Sequence, residues 1–202
     1  MERPSEPVRA STLVIAAVVF YGLMSIAAVL MLTLSDVDAG TVVFGTSASE
    51  RSPDAAPPDF DHLGAALLGA GTGLAVVGLS YLLRRVKPLQ RLQKELGSLL
   101  GEQSTGTIAV LAVTSAVGEE LLFRGALLPL IGFWPTAILF GLLHGGGAPK
   151  LIVWTIFAFL SGLLLAWLAQ VTGSLLAPIL CHLTINFWNL QALGHPPEAE
   201  AA

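Results

Sequence analysis

The sequence predicts an all-α, polytopic integral membrane protein that folds as a helical bundle, and three observations support this class. Hydrophobic residues make up 54% of the 202 residues and charged residues only 12%, whereas soluble domains carry about 25% charged residues. Mean hydropathy is +0.75. The apolar residues are concentrated in about six segments, most of which reach the roughly 20 residues that a membrane-spanning helix needs.

Five of the apolar segments are long enough to cross a bilayer, and one is shorter. The short one, residues 134–148, ends in a run of glycines. We expect it to tilt or to stop inside the membrane, which is tolerated where protein or water covers the broken backbone. The longer segments are predicted at residues 12–34, 62–83, 106–130, 151–171 and 174–193.

The distribution of basic residues predicts the orientation of the chain. Arg3 and Arg9 precede the first segment and a basic cluster follows the second at residues 84–94, whereas the connector at residues 35–61 has six acidic residues and one basic residue. The positive-inside rule then places the N-terminus and residues 84–105 in the cytoplasm. Residues 35–61, rich in Gly, Pro, Ser and Asp, are predicted to be a flexible, water-exposed loop on the other side.

We predict three parts along the chain. Residues 1–105 contain two transmembrane helices and a cytoplasmic amphipathic segment, residues 106–193 form the core, and residues 194–202 form a disordered tail. The leucines of residues 88–102 lie near one helical face. This pattern fits a helix on the membrane surface and equally a linker helix that packs on the domain.

Three ionisable residues interrupt the third apolar segment. Glu119, Glu120 and Arg124 lie within one and a half helical turns, and each costs roughly 2.5–3.5 kcal/mol at bilayer depth, which marks a functional site by default. Residues four apart share a helix face, so Arg124 is expected to pair with Glu120. Glu119 has no such partner on its own helix. We therefore predict that Glu119 is a general base and that Glu120 is a structural anion held by Arg124.

Later segments supply further polar groups. His144 ends the short segment, and His182 and Asn186 lie four residues apart in the last one. Two donors that converge in a dry site can stabilise an oxyanion, and His144 can orient a water molecule together with Glu119. This set suits attack of water on a peptide carbonyl. Glu119, His144 and His182 could instead be the three ligands of a catalytic zinc ion, and both chemistries remain open at this stage.

Simpler interpretations compete with each motif. Glu120 and Arg124 alone could be a buried ion pair that fixes helix packing, and a single intramembrane histidine is more often structural than catalytic. The lone cysteine, Cys181, excludes an internal disulfide, and its apolar surroundings disfavour a reactive thiolate. No basic arm suited to nucleic acid is present, so we expect no nucleic-acid partner.

Three motifs taken together are typical of a known family. Glu119-Glu120-x-x-x-Arg124, Phe140-x-x-x-His144 and His182-x-x-x-Asn186 occur in this order, each in an apolar segment. This arrangement resembles the CAAX protease and bacteriocin-processing (CPBP, or ABI) family of intramembrane endopeptidases over residues 106–190. Gly162, residues 172–175 and Pro178 also resemble the family pattern.

The resemblance implies an intramembrane endopeptidase with a CAAX-protease-like catalytic core and a site inside the bilayer. It implies that Glu119 and His144 activate water and that His182 and Asn186 form the oxyanion hole, with Glu120, Arg124 and Phe140 in support. No cofactor is then expected, with zinc the alternative. The expected substrate is a membrane-embedded or lipidated protein or peptide, the expected surroundings are membrane lipid, and the expected location is the plasma membrane of a bacterium or archaeon.

Two other functions fit the same sequence. A non-catalytic protein of the same fold would bind a peptide in the cavity, as an immunity protein does, but such binding would not require all four polar residues. A small transporter could use the buried acids as a proton relay, although the chain lacks the internal repeats typical of many transporters.

Overall fold

The computed structural model describes residues 9–44, 60–146 and 148–194, and in these residues all regular structure is helical. The all-α prediction is therefore confirmed. The α-helices are α1 (Ala10–Leu34), α2 (Ala39–Phe44), α3 (His62–Leu83), α4 (Lys87–Leu100), α5 (Thr105–Glu120), α6 (Leu128–Ile131), α7 (Phe133–Gly145), α8 (Ile152–Thr172) and α9 (Leu176–Gly194). A π-helical turn, Leu121–Leu127, joins α5 to α6, and a 3₁₀ turn, Pro149–Leu151, precedes α8.

Four continuous helices in the described residues are long and apolar enough to cross a membrane: Ala10–Leu34, His62–Leu83, Thr105–Ile131 and Pro149–Thr172. The chain is thus an integral membrane protein, as predicted. The sixth predicted segment also forms a helix, α9, but it is not among these four. It carries His182 and Asn186 and packs against α3, α4, α5 and α8, so its polar groups face other helices.

The short fourth segment forms α7, which has 13 residues. At 1.5 Å per residue its length is about 20 Å, less than the roughly 30 Å of a bilayer's hydrocarbon core. It ends where Gly146 adopts a left-handed conformation with φ of 57°, and the chain returns through the 3₁₀ turn to pack α8 along α7. His144 therefore lies at the C-terminal end of a helix that is too short to span.

The amphipathic segment forms α4, which packs on α8 and α9. Leu92 is buried, whereas Leu99 is 66% exposed. The packed side agrees with a linker helix that covers the domain. Leu99 lies seven residues after Leu92 and so on the same helical face, nearer the C-terminal end of α4.

The prediction for residues 35–61 needs a correction. Residues 39–44 form the short helix α2, and the carbonyl oxygens of Val42 and Val43 both accept a hydrogen bond from the Leu175 amide at 3.1 Å. Its apolar side chains pack against the core near Ala126, so this part of the connector is fixed. The remainder of the connector, residues 45–59, and the predicted tail after residue 194 lie outside the described residues.

Close packing of α3 on α9 depends on glycine. A Cβ atom added at Gly73 would lie 2.8 Å from the carbonyl oxygen of Cys181, and one at Gly69 would overlap the backbone of Ala177. The two backbones can approach only because both side chains are missing. This contact sets the position of α9 and so of His182, which follows Cys181.

Candidate active site

A change in helix type occurs at the acidic pair. The regular helix α5 ends at Glu120, and the following seven residues form a wider π-helical turn. Such turns are rare and are frequent at functional sites. Here the turn carries Arg124, so the guanidinium group leaves the helix next to the two carboxylates.

The buried pair that the sequence predicts is present. Arg124 Nη1 donates to Glu120 Oε1 at 2.9 Å, and both side chains are fully buried. Arg124 Nη2 also donates to the carbonyl oxygen of Gly162 on α8 at 3.1 Å, and the guanidinium carbon lies 4.3 Å from the centre of the Phe140 ring. The pair therefore ties together α5, the π-helical turn, α7 and α8.

Glu120 has a second partner that the sequence did not reveal. His182 Nδ1 lies 2.7 Å from Glu120 Oε1. Because an ionised carboxylate only accepts hydrogen bonds, Nδ1 of His182 carries a proton. The other ring nitrogen, Nε2, points towards Glu119 and lies 3.9 Å from its Oε2 atom.

Glu119 lies between the two histidines. It is 7% exposed, and its Oε2 atom is 3.5 Å from Nε2 of His144. His144 Nδ1 lies 2.7 Å from the carbonyl oxygen of Phe140, so that nitrogen must be the donor. At 3.5 Å the two atoms are not hydrogen-bonded, and Glu119 Oε2 has no hydrogen-bond partner among the described residues. A small approach of the two groups would bring them within hydrogen-bond distance.

Asn186 is held by a residue that the sequence analysis did not identify. Its Nδ2 donates to Ser115 Oγ at 2.9 Å, which uses one of the two N–H groups of the amide. Ser115 is one helical turn before Glu119 on α5, and this spacing is a signal by which it could have been found. The contact joins the last helix to the helix that carries the acids.

A small cavity lies beside these groups. Its volume is about 20 Å³, which is enough for about one water molecule. Glu119 does not line it and lies behind the imidazoles. The polar side chains at its wall include His144, His182 and Asn186, and its aromatic wall is formed by Phe140, Trp154 and Phe157.

Two further cavities continue from this one towards α4. The nearer has a volume of about 80 Å³ and shares Trp154 and Phe157 with the inner cavity. These two rings stack at 5.7 Å with an interplanar angle of 15°, so an aromatic pair divides the two spaces. The outer cavity, of about 410 Å³, shares four residues with the middle one, namely Ser80, Gln93, Asn189 and Ala192.

The spacing of the predicted zinc ligands differs from that of a tetrahedral metal centre. Tetrahedral zinc with bonds of about 2.0–2.1 Å would separate its donor atoms by about 3.3 Å. Glu119 Oε2 is 3.5 Å from one imidazole but 3.9 Å from the other. Among the described residues, no group of three His, Cys, Asp or Glu side chains has an arrangement that could hold a metal ion.

Two further residues, Cys181 and His62, lie away from this site. Cys181 is fully buried in an apolar cluster with Ala65 and Leu165 and does not line the cavity. His62 begins α3 and contacts the ring of Phe44 edge-on at 6.3 Å. The structure thus brings Glu119, His144, His182 and Asn186 together, with Glu120, Arg124 and Phe140 directly around them.

The helices and this buried cluster define a class: an integral membrane protein with a polar, acid–imidazole site enclosed by helices. Comparison with known proteins gives a family match over part of the chain. Residues 101–188 match the family model described as type II CAAX prenyl endopeptidase Rce1-like. The match includes every predicted site residue and confirms the resemblance that the three motifs indicate.

A curated relative shows a similar extent of matching. The uncharacterized protein YpbD of Bacillus subtilis (strain 168) is 33% identical over 91 residues, which are 44% of this chain and 46% of YpbD. The chain thus aligns with about half the length of this relative. No solved structure gives a significant match. Helices α1 to α4 lie outside the residues that the family model matches.

Proposed function

We propose that this protein is an intramembrane endopeptidase that hydrolyses a peptide bond in a membrane-embedded or lipidated protein or peptide. One observation carries the proposal. A carboxylate and an imidazole, Glu119 and His144, are 3.5 Å apart next to a cavity with space for about one water molecule, and His182 and Asn186 line the same cavity.

In this proposal the Glu119–His144 pair acts as the general base. The pair takes a proton from water while the water oxygen bonds to the carbonyl carbon of the substrate. The same pair then returns the proton to the amide nitrogen as the C–N bond breaks, so the products are a carboxyl group and an amine. Because the carboxylate lies behind the imidazole, His144 is the member closest to the water.

His182 and Asn186 are proposed to stabilise the negative charge that develops on the carbonyl oxygen. Asn186 has one N–H group left after its bond to Ser115. His182 uses Nδ1 to donate to Glu120, so it presents Nε2 to the site and donates from it only when the ring is protonated.

The cavities beside α4 support a route for the substrate. The middle cavity is walled by Leu89, Leu92 and Leu96, which suits an apolar segment, and it reaches the site past Trp154 and Phe157. We propose that a membrane-associated peptide enters along this route, from the side of the membrane to which α4 belongs.

The proposal is tested by comparing peptides in membranes from cells that express wild-type protein or variants. We expect Glu119→Gln and His144→Ala to lower cleavage by roughly 10²- to 10⁴-fold, the usual contribution of general acid–base catalysis. Mass spectrometry would show uncleaved precursor accumulating in both variants. Glu102→Gln is the matched control, since Glu102 is an exposed carboxylate outside the cavity, and it should process normally. Unchanged processing in both site variants would contradict catalysis and favour the peptide-binding interpretation.

Metal removal separates the two catalytic chemistries. Purified protein in detergent should retain its activity after stringent chelation, because the proposed base is formed by Glu119 and His144 alone. Loss of activity on chelation, with recovery on adding Zn²⁺, would instead support the ligand set Glu119, His144 and His182.

A further inference from the structure

The first helix carries a polar residue on the side that packs into the bundle. Ala17, Ala28 and Leu32 are the buried residues of α1, and Tyr21 lies on the same stripe, four residues after Ala17 and seven before Ala28. This side of α1 packs against α5 and the π-helical turn. Tyr21 is therefore turned towards the helix that holds Glu119, although α1 lies outside the matched residues 101–188.

Gly118 permits an unusually close approach of α1 at this point. A Cβ atom added at Gly118 would lie 2.8 Å from the carbonyl oxygen of Tyr21 and 3.0 Å from its Cβ atom, distances that real Cβ atoms rarely adopt. Gly118 directly precedes Glu119. Because Gly118 has no side chain, the backbone of Tyr21 can lie directly against it, next to the proposed base Glu119.

The phenol group of Tyr21 completes this contact. Its side chain is half-buried on this packed side of α1, and its O–H group is within reach of the Glu119 carboxylate. The histidine contacts of Glu119 both involve its Oε2 atom. A tyrosine O–H donates to a carboxylate, and such a donor from a third helix restricts the rotation of the carboxylate between the imidazoles.

We propose that Tyr21 is a positioning residue of the active site and that α1 is part of that site. The inference depends on the proposed function, because it assigns Tyr21 the task of holding Glu119 towards His144 during proton transfer. It also gives the N-terminal helix a role beyond membrane anchoring, in a part of the chain that the family match does not cover.

The test compares Tyr21→Phe with Thr33→Val. Both substitutions remove one hydroxyl group from α1, and Thr33 is exposed, donating to the carbonyl oxygen of Val29 at 2.8 Å, about three turns from Tyr21. We expect Tyr21→Phe to lower kcat by roughly ten- to hundredfold, the range of a lost hydrogen bond to a charged group, with KM unchanged. Thr33→Val should leave both constants unchanged. Full activity of Tyr21→Phe would show that the ring packs without positioning Glu119 and would overturn the proposal.

A second pair of variants moves α1 without altering Tyr21. Gly118→Ala should push the helix away and lower kcat, whereas Gly22→Ala, whose added Cβ meets nothing within 4 Å, should not. Wild-type kinetics in Gly118→Ala would also count against the proposal, and thermal unfolding in detergent would identify any variant that fails to fold.

An infrared measurement needs no turnover and so separates this inference from the proposed function. The carboxylate band of Glu119 is assigned by its loss in Glu119→Gln. We expect this band to shift in Tyr21→Phe and to stay in place in Thr33→Val. An unshifted band in Tyr21→Phe would refute the contact. If the wild-type protein were inactive but the band shifted in Tyr21→Phe, the proposed function alone would be refuted and the contact between Tyr21 and Glu119 would stand.

Discussion

Glu119 and Glu120 are neighbours in the chain, yet their surroundings differ because successive residues of a helix point about 100° apart. Glu120 is paired with Arg124 and His182 and is completely buried. Glu119 faces His144, His182 and Tyr21, all of which come from other helices. The sequence predicts that Glu120 is a paired anion and that Glu119 lacks a partner on its own helix. In the structure the two carboxylates accordingly have different neighbours. The assignment of the base remains a prediction that Glu119→Gln will test.

Arg124 gives a prediction at the scale of the residue. Arg124→Lys keeps the charge but loses the planar fork that bonds Glu120 and Gly162 together and stacks on Phe140. We expect it to lower the free energy of unfolding by about 1–3 kcal/mol, because a buried acceptor loses its partner. Thermal unfolding in detergent measures this loss. Arg85→Lys, at an exposed position, is the control, and equal stability of the two variants would contradict the argument.

At the scale of the element, three local features of the helices position the side chains of the candidate site. The π-helical turn brings Arg124 beside Glu120, the early end of α7 at Gly146 leaves His144 inside the bundle, and the glycine face of α3 sets the position of α9. Each depends on a short sequence feature whose effect requires a neighbour. The glycine run after His144, for example, ends a helix wherever it occurs, but only the packing of α7 on α8 directs the imidazole to Glu119.

The contact between α3 and α9 gives a prediction at this scale. Gly73→Ala should displace α9 at Cys181, next to His182, and so lower both stability and kcat. Gly71→Ala is the matched control, because an added Cβ there meets nothing within 4 Å and alanine favours helix by about 1 kcal/mol. Chemical or thermal unfolding together with kinetics would measure both effects. A stable and fully active Gly73→Ala variant would show that the two helices can separate without affecting the site.

For the whole molecule, the membrane arrangement determines which side of the bilayer supplies the substrate. Four helices are able to cross by length and composition, while α7 is too short and α9 is enclosed by other helices. The basic cluster at residues 84–94 predicts that α4 and the cavities beside it face the cytoplasm. The substrate would then approach from that side.

Cysteine labelling tests this orientation. Cys181 is the single cysteine and is buried, so a Cys181→Ala background gives an unreactive starting protein. In intact cells, a membrane-impermeant maleimide should label Asp38→Cys but not Arg85→Cys, and both should react once the membrane is opened. Both original residues are exposed. The opposite labelling pattern would reverse the topology and place the cavities beside α4 on the outer side.

The sequence by itself determined the class of this protein and the candidate side chains. The length of an apolar segment is sufficient to predict a membrane-spanning helix. Charged residues inside such a segment are candidates for a functional site, because burying a charge costs free energy. Spacing of four residues was sufficient to predict the bond between Glu120 and Arg124, since both ends lie on one helix. Along a helix, local geometry decides the contact.

Contacts between helices were decided only by the tertiary structure. The bond of Glu120 to His182, that of Asn186 to Ser115 and the approach of Tyr21 to Glu119 join residues that are far apart in the chain. They depend on helix rotation and on close packing at Gly73 and Gly118, neither of which a periodic pattern encodes. The position of α2, within residues 35–61, also depends on a contact between distant residues, because the Leu175 amide donates to the carbonyl groups of Val42 and Val43.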